Sequence, residues 1–93
     1  MLKKNIRDDQ QQALKNHDDK KLEILRYILA QIQNKEIEKK EELSDEETIA
    51  ILKKIAKELK ESIESSQKAN RQELVNQYQN QLSIVKSYLP KEL

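Results

Sequence analysis

The chain contains no glycine and one proline, Pro90, and this constrains its fold more than any other feature of its 93 residues. Without glycine, tight hairpin turns, phosphate-cradling loops and dinucleotide fingerprints lack the residue that takes up their left-handed backbone freely. Cysteine is also absent, which excludes a disulfide framework, a thiolate zinc site and a thiol nucleophile. The single histidine, His17, cannot form a ligand pair. The length suits one small domain over residues 1–93 and is short of most cofactor-binding enzyme folds. The expectation is an all-α chain with no cofactor and no metal. Lysine and arginine number 18 against 17 acidic residues, so gross charge draws the chain strongly to neither nucleic acid nor anionic membrane.

The opening segment, MLKKNIRDDQQQALK, has no continuous apolar run and carries two aspartates, so it reads as a cytosolic N-terminus, and a cytoplasmic location is expected. The most apolar stretch, ILRYILA at 24–30, includes Arg26 and is far shorter than the roughly 20 residues of a membrane span. Low hydrophobicity and high charge suit a disordered chain, but the apolar residues recur at helical spacing, which favours a folded helical domain.

Four helical segments follow from that spacing. Leu2, Ile6, Ala13 and Leu14 give a thin apolar face over about 2–15, interrupted by the polar run Asp8–Gln12. Asp18 or Asp19 can cap a second helix, 18–39, whose stripe is Leu22, Leu25, Ile28, Leu29 and Ile32. Ser44 followed three residues later by Glu47 is a capping box, with Asp45 and Glu46 adding negative charge where the helix dipole favours it. The third helix, 45–68, carries Ile49, Leu52, Ile55, Ala56, Leu59 and Ile63. Asn70 suits a left-handed helix end, and a fourth helix, 71–89, follows with Leu74, Tyr78, Leu82, Val85 and Leu89 before Pro90 stops it. The pattern predicts an elongated antiparallel bundle of about four helices.

Chemistry is sparse. His17 beside Asp18 and Asp19 lacks an accompanying nucleophile or metal set and reads as an interhelix residue favoured, when charged, at a helix C-terminus. Glu41, Glu42, Asp45, Glu46 and Glu47 read as capping and solvated surface, because no glycine-turned loop fixes them around a cation. Lys53, Lys54, Lys57 and Lys60, with Lys35, Lys39 and Lys40, are able to touch an RNA backbone, but glutamates dilute each cluster and a solvated helical face is the favoured reading. Tyr78 belongs to an apolar stripe, whereas Tyr27 and Tyr88 flank theirs and are open to base stacking. The Gln and Asn density at 10–12 and 76–81 is compatible with a helix bearing an uncharged polar face, since Leu74, Tyr78 and Leu82 keep their register.

Three segments carry a family pattern: LEILRYILAQIQNKEIEKKEELSDEE at 22–47, KESIESSQKANRQELV at 60–75 and YLPKEL at 88–93. Together they resemble the GatB/YqeY family over nearly the whole chain. The resemblance implies a helical domain similar to the C-terminal region of the B subunit of tRNA-dependent amidotransferase, a carbon-nitrogen ligase that uses glutamine as amide donor. In that enzyme this region is an appendage that helps engage tRNA, so no catalytic residue is implied here. Longer members continue beyond this motif into a small second domain, and its absence here is the expectation. Asn70 stands where the family usually has glycine, and the fourth helix, commonly acidic in the family, is rich in Gln and Asn. The implied partners are tRNA or a component of an amidotransferase or tRNA synthetase. The candidate RNA contacts are Lys35, Lys39, Lys40 and Arg71, and the candidate caps are Ser44, Glu47 and Asn70. A helical protein–protein interaction module without an RNA role is the alternative, and an enzyme acting alone ranks third.

Overall fold

Three of the described residues take a left-handed backbone, His17 (φ 55°), Lys40 (φ 61°) and Asn70 (φ 56°), and each lies where one helix gives way to the next. In the computed structural model, residues 1–90 are described, and they form α1 (Leu2–Lys15), α2 (Asp19–Lys39), α3 (Asp45–Lys68) and α4 (Gln72–Lys86). The fold class is all-α. The closing Lys91–Leu93 of the YLPKEL motif, and with them the expected end of the domain, lie outside the described residues.

The chain divides into two compact units, Met1–Ile51 and Leu52–Leu93. In the first, α1 packs against α2. Ile6 and Ala13 are the buried residues of α1, while Leu14, placed by spacing on the same face, is 56% exposed. Ala13 already closes that end of the stripe, and the next residue rotates by about 100° towards solvent. The face is thin, yet α1 is tied down by polar contacts. Its N-terminal donor, the Leu2 N–H, reaches Asp45 Oδ1 at 3.0 Å, and Lys3 Nζ meets Glu36 Oε1 at 2.7 Å. Glu36 Oε2 also accepts the backbone N–H of Leu43 at 3.0 Å, which fixes the chain as it leaves α2.

The end of α1 is a Schellman motif built on histidine. The His17 N–H reaches Leu14 O at 3.3 Å and the Asp18 N–H reaches Ala13 O at 2.9 Å, the pairing that answers unsatisfied carbonyls of a last turn. Asp18 then caps α2 through Lys21 N–H at 3.2 Å. Besides the spaced stripe, α2 buries Ile24, so its apolar face is wider than one line of residues. At its end, Lys40 turns left-handed and donates to Glu36 O at 2.7 Å. The start of α3 is reciprocal: Ser44 N–H to Glu47 Oε1 at 3.1 Å and Glu47 N–H to Ser44 Oγ at 3.2 Å. Thr48, fully buried, satisfies its hydroxyl on Ser44 O at 3.0 Å.

In the second unit, α3 buries Leu52, Ile55, Ala56 and Leu59, and α4 buries Val75, Gln81 and Val85. Leu74, Tyr78 and Leu82 are only half-buried, so the inward line of α4 runs beside the expected stripe as well as along it. Between the helices, Asn70 completes a second Schellman motif, with its N–H on Gln67 O at 3.1 Å and Arg71 N–H on Ser66 O at 2.9 Å. Helix α4 ends at Lys86 and not at Leu89. The chain continues in a tightened turn, Tyr88 N–H to Val85 O and Leu89 N–H to Lys86 O, because Pro90 disfavours α geometry at the residue before it.

Among the described residues no helix is long and apolar enough to cross a membrane, and no group of three metal-ligating side chains occurs.

Candidate functional site

Charge is unevenly divided between the two units. Residues 1–51 carry ten basic and twelve acidic side chains, whereas residues 52–93 carry eight and five, a net +3. Within the second unit the excess is gathered on one groove of about 510 Å³, lined by Lys53, Ala56, Lys57 and Lys60 of α3 and by Lys86, Leu89 and Pro90 at the end of α4.

Helical phase explains how lysines can cluster in a segment whose overall charge is mixed. Positions 53, 56, 57 and 60 follow the i, i+3, i+4, i+7 rule and share one side of α3. Glu58 is rotated away from Lys57 by about 100°, and Glu61, one turn beyond Lys57, forms no ion pair with it among the described residues. Glu64 lies one turn beyond Lys60 and pairs with Lys68 at 3.8 Å. Among the described residues, none lining the groove is acidic, and none of Lys53, Lys57, Lys60 and Lys86 has a carboxylate partner. The groove floor is apolar, with Ala56 buried, Leu89 half-buried and Pro90 the most exposed of the three.

The four candidate RNA contacts are placed otherwise. Lys35, Lys39 and Lys40 belong to the first unit and Arg71 to the second, at the N-cap of α4. Lys35 faces Glu38 at 3.9 Å on an exposed stretch of α2. Lys39 lies between Glu41, at 3.5 Å, and Glu47, to which it is hydrogen-bonded. That hydrogen bond, helped by the Ser44 N–H, holds the Glu47 carboxyl down at about 2, and the same bond raises the Lys39 ammonium above its ordinary value. A lysine held between two carboxylates presents little net charge to a phosphate. Lys40 is committed to the left-handed turn, with its side chain exposed.

A second, shallower hollow occurs in the first unit, lined by Lys3, Gln33, Glu36, Ile37, Glu41 and Glu42. Its one basic group is already bound to Glu36, whose carboxyl is lowered first by the Lys3 hydrogen bond and then by the Leu43 N–H. This hollow offers acceptors to a ligand, where the groove of the second unit offers donors.

Lys86 is the groove residue that sequence reasoning did not single out. The available signal was its placement one turn before Leu89 and Pro90 on the last turn of a helix, where a cation is also favoured by the dipole.

Fold and groove together define a small all-α protein with an unpaired cationic surface and no assembled catalytic group among its described residues. Over residues 3–93 the chain matches the family described as Yqey-like protein, and it belongs to that family. Two similar relatives are both named "Altered inheritance of mitochondria protein 41, mitochondrial", one from Vanderwaltozyma polyspora and one from Lachancea thermotolerans. Each is 34% identical to the chain, over 85 and 86 residues, covering 90% and 91% of it. The chain spans about half the length of these curated relatives, 46% of each. Their names overturn the expectation of a cytoplasmic location. That expectation rested on the composition of fifteen N-terminal residues, which describes the segment and carries no information about an address encoded elsewhere.

Proposed function

We propose that the chain is a noncatalytic RNA-binding module whose partner is tRNA, serving tRNA-dependent amidation as an accessory. The observation that carries this reading is the groove of the second unit, in which four lysines without carboxylate partners among the described residues line one concave surface. Phosphate contact needs clustered positive charge that is not already neutralised, and counterion release on binding supplies sequence-independent affinity. The GatB/YqeY resemblance supports tRNA as the source of the phosphates. It also supports an accessory role, because the corresponding region of the amidotransferase is an appendage to its activating domain.

The test is a titration of the chain with total tRNA across a salt series. Four lysine–phosphate contacts predict a slope of log K against log salt between about −2.8 and −3.6, according to whether the contacted backbone is single-stranded or duplex. Binding that is absent, or insensitive to salt, sinks the RNA reading.

A protein-docking reading draws support from the first unit, where Ile37 is 74% exposed beside an acid-lined hollow and Leu14 is 56% exposed. Capture of protein partners that survives RNase treatment, and is lost in Ile37→Asp but not in Lys57→Glu, would favour it over the groove.

A further inference from the structure

We infer that the groove of the second unit takes a single-stranded stretch of RNA, with an unstacked base against its floor, and discriminates against duplex. This deepens the RNA reading above and rests on it.

The argument lies in the two chemistries of the groove. Its rim is cationic on both sides, with Lys53, Lys57 and Lys60 along α3 and Lys86 at the end of α4, so a phosphate chain is met by charge from either wall. Its floor is not cationic. Ala56, Leu89 and Pro90 offer methyl, isobutyl and pyrrolidine surface with no donor for a phosphate oxygen. The outer face of a duplex consists of phosphates and sugars, while its bases are stacked inside. Nothing on that face gains from meeting the apolar floor, and a rigid helical backbone follows poorly into a concavity of about 510 Å³. A flexible single strand supplies both parts: phosphates for the rim, and the flat, poorly hydrated face of a splayed base for the floor. Positions 53, 57 and 60 rise about 10 Å along α3, so the cationic wall is long enough for more than one phosphate but not for an extended tract. The ligand class is therefore a short unpaired segment, such as a loop or an end, within a larger RNA.

The three floor residues are aliphatic, and Tyr88, adjacent in sequence to Leu89, is half-buried. Aliphatic surface accepts any base face without a hydrogen-bonding code, so discrimination is expected between strand forms and not between base sequences.

The experiment uses the intact chain and a fluorescently labelled ten-nucleotide RNA (~10 nt, a length within the range one small single-strand site covers). Anisotropy is read for the free strand, for the same strand annealed to its complement, and for total tRNA, each across a salt series. The expected result is at least about ten-fold tighter binding of the free strand than of the duplex at low salt. Its log–log salt slope should be close to −2.8, which is about a fifty-fold loss over a four-fold rise in salt. Lys57→Gln should flatten that slope by about 0.7. Leu89→Ser should weaken the free strand several-fold with the slope retained, because it alters the floor and leaves the charges in place. Circular dichroism of each variant verifies that its helices are intact, and Lys53→Gln provides a second rim variant if Lys57→Gln is unfolded.

Equal or tighter binding of the duplex overturns the inference, as does free-strand binding that neither rim nor floor variants alter. Salt-sensitive tRNA binding without free-strand binding overturns the inference and leaves the RNA reading standing. Absence of binding to all three RNAs removes both.

Discussion

Glu36 is the residue on which the first unit most depends for polar order, and its removal gives a quantitative test of that claim. One oxygen accepts from Lys3 Nζ at 2.7 Å and the other from the Leu43 N–H at 3.0 Å, so a single carboxylate joins α1, α2 and the segment leading to α3. The Lys3 and Glu36 side chains are 17% and 15% exposed, which places the pair between the surface regime of about 0–1 kcal/mol and the stronger buried regime. Leu43 is 3% exposed, and its N–H would lose its acceptor where water has little access, a loss of about 1–3 kcal/mol. Glu36→Ala is therefore expected to destabilise the chain by about 2–4 kcal/mol, read by urea denaturation followed by circular dichroism. Lys3→Met, which removes one of the two contacts, should cost about 1 kcal/mol or less. Hydrogen exchange should show lost protection at the Leu43 amide in Glu36→Ala and retained protection in Lys3→Met. The pH dependence has a defined sign. The folded carboxyl of Glu36 is held below its ordinary value of 4.5, so its contribution is complete above that value and falls away as the pH drops through the folded pKa. The gap between Glu36→Ala and the parent should accordingly narrow in acid. A cost under about 0.5 kcal/mol, or a gap that persists unchanged in strong acid, would refute the assignment of Glu36 as the tie.

Lys40 holds a left-handed backbone that a β-carbon disfavours by about 1–2 kcal/mol, so Lys40→Gly should raise stability by roughly 0.5–1 kcal/mol after its added unfolded-state entropy; Lys40→Val should lower it in the same denaturation assay. Ser44→Ala removes the acceptor for the Glu47 N–H and should cost about 1 kcal/mol in midpoint-derived stability. The contribution from Glu47, held at about 2 chiefly by Lys39, is complete above pH 4.5 and should be lost progressively between about 4.5 and 2; a thermal-melt series at descending pH should show Lys39→Met losing less stability over that window than the parent. In tRNA titrations, Lys39→Met should leave affinity nearly unchanged because its charge is already matched by Glu41 and Glu47, whereas Lys57→Met should weaken binding and flatten the salt slope.

The helices were readable in the sequence because period and caps agree. The spacing of Leu22, Leu25, Ile28, Leu29 and Ile32 requires a helix, and the Ser44 to Glu47 interval requires a start at Asp45 whatever the chain folds against. The turns were less readable, for a physical reason. A left-handed helix end is normally advertised by glycine, and in a chain without glycine the position falls to whichever residue the connection length demands. Asparagine at 70 still signals it, and histidine at 17 also favours that backbone region over most residues, but Lys40 carries no comparable preference. The left-handed geometry of His17 and Lys40 is imposed by the contacts on either side: Asp18 N–H returning to Ala13 O in one case, Glu36 receiving the Leu43 N–H in the other. Such contacts close within the turn, between residues five and seven positions apart, and no single residue type advertises them. The α4 boundary fails similarly, since spacing carries Leu89 into the helix while the conformational restriction imposed by Pro90 reaches one residue back.

The site shows the limit of counting charge along a sequence. Summed over 44–66, four lysines are outnumbered by six acidic groups, and the segment reads as a solvated face. Charge acts in space, and a helix sorts neighbours in sequence onto different sides: Lys53, Lys57 and Lys60 reach the groove while Glu58 turns off it and Glu61 is not among its lining residues. The inverse holds for Lys39, which looks available in the run Lys39-Lys40-Glu41-Glu42 until the start of α3 brings Glu47 onto it. A cation's value to a polyanionic partner is set by what already neutralises it, and that depends on helix phase and on residues eight positions away as much as on composition. By that criterion the lysines between Leu52 and Leu59, together with Lys60 and Lys86, are the ones whose substitution should change RNA binding, with Lys54 the exception because it is not among the groove residues. A graded series, Lys53→Gln, Lys54→Gln and Lys57→Gln compared at one salt concentration, distinguishes phase from proximity. If the middle member weakens binding as much as its neighbours, charge density alone governs recognition and the groove has no special part in it.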